Sequence, residues 1–139
     1  MIRELNDFEQ SESIDFNLDL KSKIILKKKK YFMNKLALLN IVNQIFDIEK
    51  KVNDLEHHEK FKRNFSRISF ELEAGFNLVV KIPTGEKYSD GRMDCDANIV
   101  GEMKPGMIIS DTLKPVVYEK NEDGSLKIIQ KAVVIVSSK

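Results

Sequence analysis

Apolar residues recur at helical intervals through residues 31–55. Leu38, Val42, Ile45, Ile48, Val52 and Leu55 fall four, three, three, four and three residues apart, the spacing that lines one face of an α-helix. Leu36, Leu39, Ile41 and Phe46 widen the stripe over its first turns, and no Gly or Pro interrupts the run. Leu, Lys and Glu are good helix formers, so local propensity agrees with the pattern. A stripe this wide needs more than one neighbour, and little else in the chain is helical. A second copy is the expected source, with Leu38, Val42, Ile45, Ile48, Val52 and Leu55 as the dimer interface.

Upstream, Ile14, Phe16, Leu18 and Leu20 alternate with polar residues. That is a strand period, yet Asp15 or Asp19 could equally cap a helix. Both readings stay open, with helix from about Asp19 favoured and residues 1–18 expected to form a flexible arm. Downstream, Phe61, Phe65, Ile68 and Leu72 recur at four, three and four, with Lys, Arg and Glu opposite. They predict a second, shorter helix, and Gly75 stands where a left-handed C-terminal cap belongs. The short loop between the two predicts an antiparallel helical hairpin.

From Phe76 the period changes. The run FNLVVKI is apolar and β-branched and ends at Pro83-Thr84-Gly85, as a strand does. The stretch 84–102 is rich in turn residues and is expected to wrap the surface. Residues 107–119 predict two short strands broken near Lys114-Pro115. Asn121-Glu122-Asp123-Gly124 carries the residues of a hairpin turn, and LKIIQ and AVVIVSS complete one sheet. The fold class is therefore α+β: an arm over 1–18, a helical dimerisation region over 19–75 and a small all-β module over 76–139.

Composition narrows the function. The 139 residues are 42% hydrophobic and 32% charged, with a net charge of +1, so no global field draws nucleic acid or an anionic membrane. One cysteine excludes an internal disulfide and suits a reducing compartment. The first residues lack the apolar core of a signal peptide, and no later segment reaches membrane-spanning length. A soluble, cytoplasmic protein with no membrane contact is the expectation.

Candidate chemistry is sparse. Lys27, Lys28, Lys29 and Lys30 could form a phosphate-binding patch. The plainer reading is a solvated turn of helix, because the four point in all directions without Arg or interleaved aromatic rings. They would also hold neighbouring helices apart unless Glu or Asp answers them. His57 and His58 are adjacent, so on a helix they point about 100° apart and do not chelate one metal by themselves. Asp94, Asp96 and Asn98 have the first spacings of a calcium loop, but Ile99 stands where glycine is required and Pro105 where a bidentate Glu is required. Cys95 lies between two aspartates, which raises a thiol pKa and opposes a nucleophilic role. No histidine follows residue 58, so a nucleophile–base pair would need both halves of the chain. No enzyme activity, cofactor or metal is expected.

The order of parts resembles that of the GrpE family, the nucleotide exchange factors of DnaK-type chaperones. LALLNIVNQIFDI is similar to the family's long-helix pattern LLPVLDNLERAL, with Asn40 in place of the proline and Asn43 in place of the aspartate. GFNLVVKIPTGEKYSD is similar to its G-V-x-x-I…G-E-x-F-D-P stretch, Tyr88 standing for the phenylalanine. KPGMII resembles the E-P-G-x-V-x turn and strand. IIQKAVVIVSS resembles the closing I-R-P-A-x-V-x-V, with Gln130 and Lys131 replacing Arg-Pro and Ala132 kept. The resemblance covers residues 30–138. It departs from the pattern at the histidine after F-D-P, where Met93 or Asp94 is nearest, and at the glycine expected near Glu59. Extra residues fall around 114–127, and the paired helix is short.

The resemblance implies a homodimer whose helix hairpins make a four-helix bundle, with one β module pressing on the chaperone ATPase domain to open its nucleotide cleft. It implies partner contacts at Phe32, Tyr88, Thr112 and Val136. Ordinary packing inside the β module is the competing reading for Tyr88 and Val136, and burial in the bundle for Phe32. The alternative function is a dimeric scaffold that uses Lys27 to Lys30 for nucleic acid or an acidic partner, the nucleic acid being the weaker case.

Overall fold

The computed structural model describes residues 19–138. The alternation at Ile14, Phe16 and Leu18 and the arm over 1–18 lie outside the described residues. The chain is α+β: a long helix, a short helix and then six strands. Packing divides it into two compact units, the first ending at Ile41 and the second beginning at Val42.

Helix α1 spans Leu20–Asn53. Asp19 starts it, its Oδ1 accepting the Ser22 N–H at 2.7 Å, as an N-cap carboxylate does. That bond holds the Asp19 carboxyl below the usual carboxylate range. Within the first unit the helix carries Lys27, Lys28, Lys29 and Lys30 as an exposed turn, and Lys35 Nζ donates to Tyr31 Oη at 2.6 Å. The helix stops at Asn53, so Leu55 lies in the following turn rather than on the helical stripe.

In the second unit a 3₁₀ turn at His58–Phe61 leads into α2, Lys62–Phe76. His57 precedes that turn with φ 62°, and no metal-binding group of His, Cys, Asp and Glu occurs among the described residues. The expected cap at Gly75 is corrected. The helix runs on to Phe76, and Asn77 takes the left-handed conformation (φ 57°), its N–H donating to Glu73 O at 3.1 Å. Asn tolerates this conformation, and its own carbonyl is already engaged by the Lys120 N–H at 2.8 Å. Because α2 is tied there to the strands, its neighbours are chiefly the 3₁₀ turn and the first strand.

The strands are β1 (Leu78–Lys81), β2 (Cys95–Val100), β3 (Ile108–Lys114), β4 (Val116–Lys120), β5 (Leu126–Gln130) and β6 (Ala132–Ser137). They form two three-stranded sheets, β1-β4-β5 and β2-β6-β3, rather than one. The chain changes sheet at single residues, Pro115 between β3 and β4 and Lys131 between β5 and β6. Register shifts at Ile109/Asp111, Thr112/Lys114 and Val117/Tyr118 bend the strands near those corners. The β4–β5 turn is the expected hairpin, closed by Gly124 (φ 85°) and by the Asn121 N–H on Ser125 O at 2.8 Å.

Strand β2 lies in the stretch expected to wrap the surface. Its Asp96, Ala97 and Asn98 are poor strand formers, but it pairs in parallel with β6, from Cys95↔Ala132 to Val100↔Ser137. Small Cys95 and Ala97 face inward there. The core is Cys95, Met107, Ile109, Val116, Ala132, Val134 and Val136, with Tyr88, Tyr118 and Ile128 packed against it.

Candidate partner-binding surface

The last turns of α1 are held to the strands by one row of side chains. Val42 and Phe46, four residues apart, are buried. Between them Asn43 Nδ2 donates to Gln130 Oε1 at 3.0 Å, and Gln130 Nε2 donates back to Asn43 Oδ1 at 2.8 Å. Gln130 Nε2 also donates to Pro115 O at 2.9 Å. One side chain therefore joins the helix to Pro115, at one of the two places where the chain changes sheet. A turn later, Lys50 Nζ donates to Thr112 O at 2.8 Å, lies 3.0 Å from Asp111 Oδ1 and sits over the Phe46 ring. A shallow cavity of about 240 Å³ opens beside it, lined by Glu49, Asn53, Ile82 and Thr84 among others. In its wall Thr84 Oγ1 and Thr112 Oγ1 are 2.7 Å apart.

The expected interface residues separate on this geometry. Val42 is turned into the chain's own interior, so it is not on an open seam. Leu38, Ile45 and Val52 are half-buried, while Ile41, Ile48 and Leu55 are each more than half exposed. Within the helix Leu38, Ile45 and Val52 recur every seventh residue, and Ile41 and Ile48 follow the first two by three. That is the a/d repeat of a coiled-coil seam.

The expected partner contacts also separate. Phe32 is 61% exposed. Tyr88 is half-buried against the core, its N–H donating to Met107 O at 3.0 Å. The side chains of Thr112 and Val136 are closed off by the chain's own packing, at 1% and 0% exposure. On a strand whose alternate residues face the core, both fall on the inward row.

The acidic stretch around Cys95 is structural. Arg92 donates to both Asp94 oxygens, at 3.0 and 2.8 Å, to Glu86 Oε1 at 3.1 Å and to Lys87 O at 3.0 Å. This fork closes the loop between β1 and β2 and holds the Asp94 carboxyl well below the usual carboxylate range. Asp94 is thereby spent on Arg92, and Asp96 and Asn98 sit on a strand. Burial, and then the neighbouring Asp94 charge, push the Cys95 thiol up to about 11. Among the described residues no helix is long and apolar enough to cross a membrane. No family model, no curated protein and no solved structure matches the chain.

Proposed function

We propose that the protein is a GrpE-like nucleotide exchange factor: a homodimer that binds the ATPase domain of a DnaK-type chaperone and promotes ADP release. The observation that carries this reading is the pairing of Asn43 with Gln130. These are two of the positions at which the sequence leaves the family pattern, Asn for Asp on the long helix and Gln for Arg before the last strand. They lie far apart in sequence and meet as a matched pair, an amide for the carboxylate and an amide for the guanidinium. Two departures that answer each other favour a shared architecture over a chance likeness of short motifs.

The dimer would form along Leu38, Ile41, Ile45, Ile48 and Val52. A four-helix bundle would take the second pair of helices from α2, whose Ile68, Leu72 and Phe76 line an apolar groove. Phe32 and Tyr88 are the contact candidates that keep accessible surface. The action needs no covalent chemistry. A partner that binds the open cleft better than the closed one shifts the population toward open, and ATP binding must weaken the complex in return.

The test is ADP release from a DnaK-type ATPase domain with and without the full chain, alongside sedimentation of the wild type and of Ile48→Glu. A dimer that accelerates release, and a variant whose self-association is at least tenfold weaker, are expected. A wild-type monomer with no effect on the release rate refutes the proposal.

A further inference from the structure

The sheet β2-β6-β3 is closed by its own chain at one edge and not at the other. Along β3, residues 85–88 run against the outer edge. Gly85 N–H donates to Ile109 O at 2.8 Å, Ile109 N–H to Glu86 O at 2.9 Å and Tyr88 N–H to Met107 O at 3.0 Å, and Lys87 is bridged to Ile108. Strand β2 is the other edge, and among the described residues it pairs with β6 alone. The Ala132 N–H donates to Asp94 O at 2.9 Å, which sets the phase of the parallel ladder. Asp96, Asn98 and Val100 therefore turn their backbone groups to β6, while Cys95, Ala97 and Ile99 turn theirs away. Among the described residues no backbone hydrogen bond reaches Ala97 or Ile99 from that outer side.

The accessible part of this edge is residues 96–100. Cys95 is buried, whereas Asp96, Asn98, Ile99 and Val100 are exposed, Val100 to 61%. Edge strands are ordinarily blunted by bulges or Pro, yet β2 keeps an unbroken register and contains no Pro. A row of unpaired backbone groups takes an extended strand, and this stretch is complementary to itself. Antiparallel pairing about a twofold axis at Asn98 sets Ala97 against Ile99 of the second copy, and Ile99 against the second copy's Ala97. Both residues point their N–H and C=O outward, so each pair exchanges both its N–H···O bonds. A small side chain meets a large one on each side of the axis. Asn98 meets its own copy, where each amide both donates and accepts, and Asp96 falls opposite Val100 rather than another carboxylate. Moving the axis to Ala97 needs the covered Cys95. Moving it to Ile99 sets Ala97 against Gly101, whose φ of 89° has left the strand.

We propose that β2 is a self-association edge. Two copies pair antiparallel through Ala97 and Ile99 with Asn98 on the twofold axis, and their three-stranded sheets merge into one ordered β3-β6-β2-β2-β6-β3. A seam over residues 96–100 is far shorter than a standard interface, so the association is weak and forms at high local concentration. Its axis is separate from that of the α1 seam, and where both operate one dimer is joined to the next. The inference does not depend on the exchange-factor reading, since it uses the β module alone.

Sedimentation of full-length chains carrying Ile48→Glu, which blocks the helix seam at an exposed position, isolates the edge. Over about 10–500 µM, the range suited to a weak contact, this variant is expected to pass reversibly from monomer to dimer. Adding Asn98→Asp or Asn98→Lys sets like charges face to face on the axis and should weaken that dimer roughly fivefold or more. An equimolar mixture of the two charged variants should restore it, which also shows that both chains are folded. On mild oxidation Asn98→Cys should give a disulfide-linked dimer, because residues opposite each other at a non-hydrogen-bonded site lie within disulfide reach. Asp96→Cys should not, since its two copies would stand roughly 13 Å apart along the seam. An Ile48→Glu chain that stays monomeric at every concentration overturns the proposal and leaves the edge to a foreign strand. A mixture of the charged variants that associates no better than either alone overturns it too. Wild type and Ile48→Glu associating alike, with the Asn98 variants still weakening the dimer, would refute the helix seam and uphold the edge.

Discussion

Replacing Asn43 by Asp and Gln130 by Arg, singly and together, isolates the contact on which the functional reading rests. In the wild type two amides exchange two hydrogen bonds at 3.0 and 2.8 Å, and Gln130 keeps a third to Pro115 O. Asn43→Asp removes the donor that serves Gln130 Oε1 and sets a carboxylate oxygen against it. Gln130→Arg brings a fork of N–H donors onto Asn43, which offers one acceptor and one donor. Each single change leaves one half-buried polar contact mismatched, at a cost of about 1–2 kcal/mol. The double variant restores a two-point match, now between carboxylate and guanidinium, with guanidinium N–H groups left for Pro115 O. It should lie within about 1 kcal/mol of the wild type, which makes the coupling on the order of 1–3 kcal/mol. Urea unfolding reads this directly. With a slope of about 1–3 kcal/mol/M, each single variant lowers the midpoint by roughly 0.5–1 M and the double variant recovers it. Additive effects, with a coupling under about 0.5 kcal/mol, would show that the two positions act independently. The compensation between them would then be an accident, and the family reading would lose its support.

Two further outcomes follow from the loop between β1 and β2. Arg92→Met should destabilise the fold by about 1–3 kcal/mol, since its hydrogen bonds to charged and carbonyl oxygens are lost. Because the folded Asp94 carboxyl titrates below the ordinary value of 3.8, the Arg92–Asp94 contribution is complete above that pH. It is lost as acid protonates the folded carboxyl, so the variant's unfolding free energy should change less below pH 4 than the wild type's. The buried Cys95 thiol, held up to about 11, should resist iodoacetamide at pH 8. Its labelling should rise with urea along the unfolding curve, and rapid labelling of the native chain would refute its placement in the core.

Much of this architecture is legible in the residues. Asp19 as a cap, the unbroken run to Asn53, the break at Lys114-Pro115 and the Asn121 turn each rest on local chemistry that the structure repeats. What escaped were features decided by distant partners. Strand β2 has Asp and Asn where strands have Val and Ile, and only its parallel pairing with β6 makes it a strand. Gly75 looked like a cap because glycine favours positive φ, but the hydrogen bond from Lys120 to Asn77 places the turn two residues later. Val42 fits the helical stripe as well as Ile41 does. Which of them is covered depends on a β module whose position no helical period encodes. The inward side chains of Thr112 and Val136 follow from strand alternation once the register is known, and a family pattern carries no register.

A single helix crosses the division at Ile41/Val42, and this has a consequence for how its backbone opens. From Val42 onward, breaking a helical hydrogen bond also uncovers Val42 or Phe46 and strains the Gln130 corner, so opening there is coupled to the whole β module. Before Val42 the described turns carry no fully buried side chain, so a helical hydrogen bond there opens with less packing coupled to it. One continuous element thus spans two regimes of amide exchange, with fraying free to run inward from Leu20 and arrested near Val42.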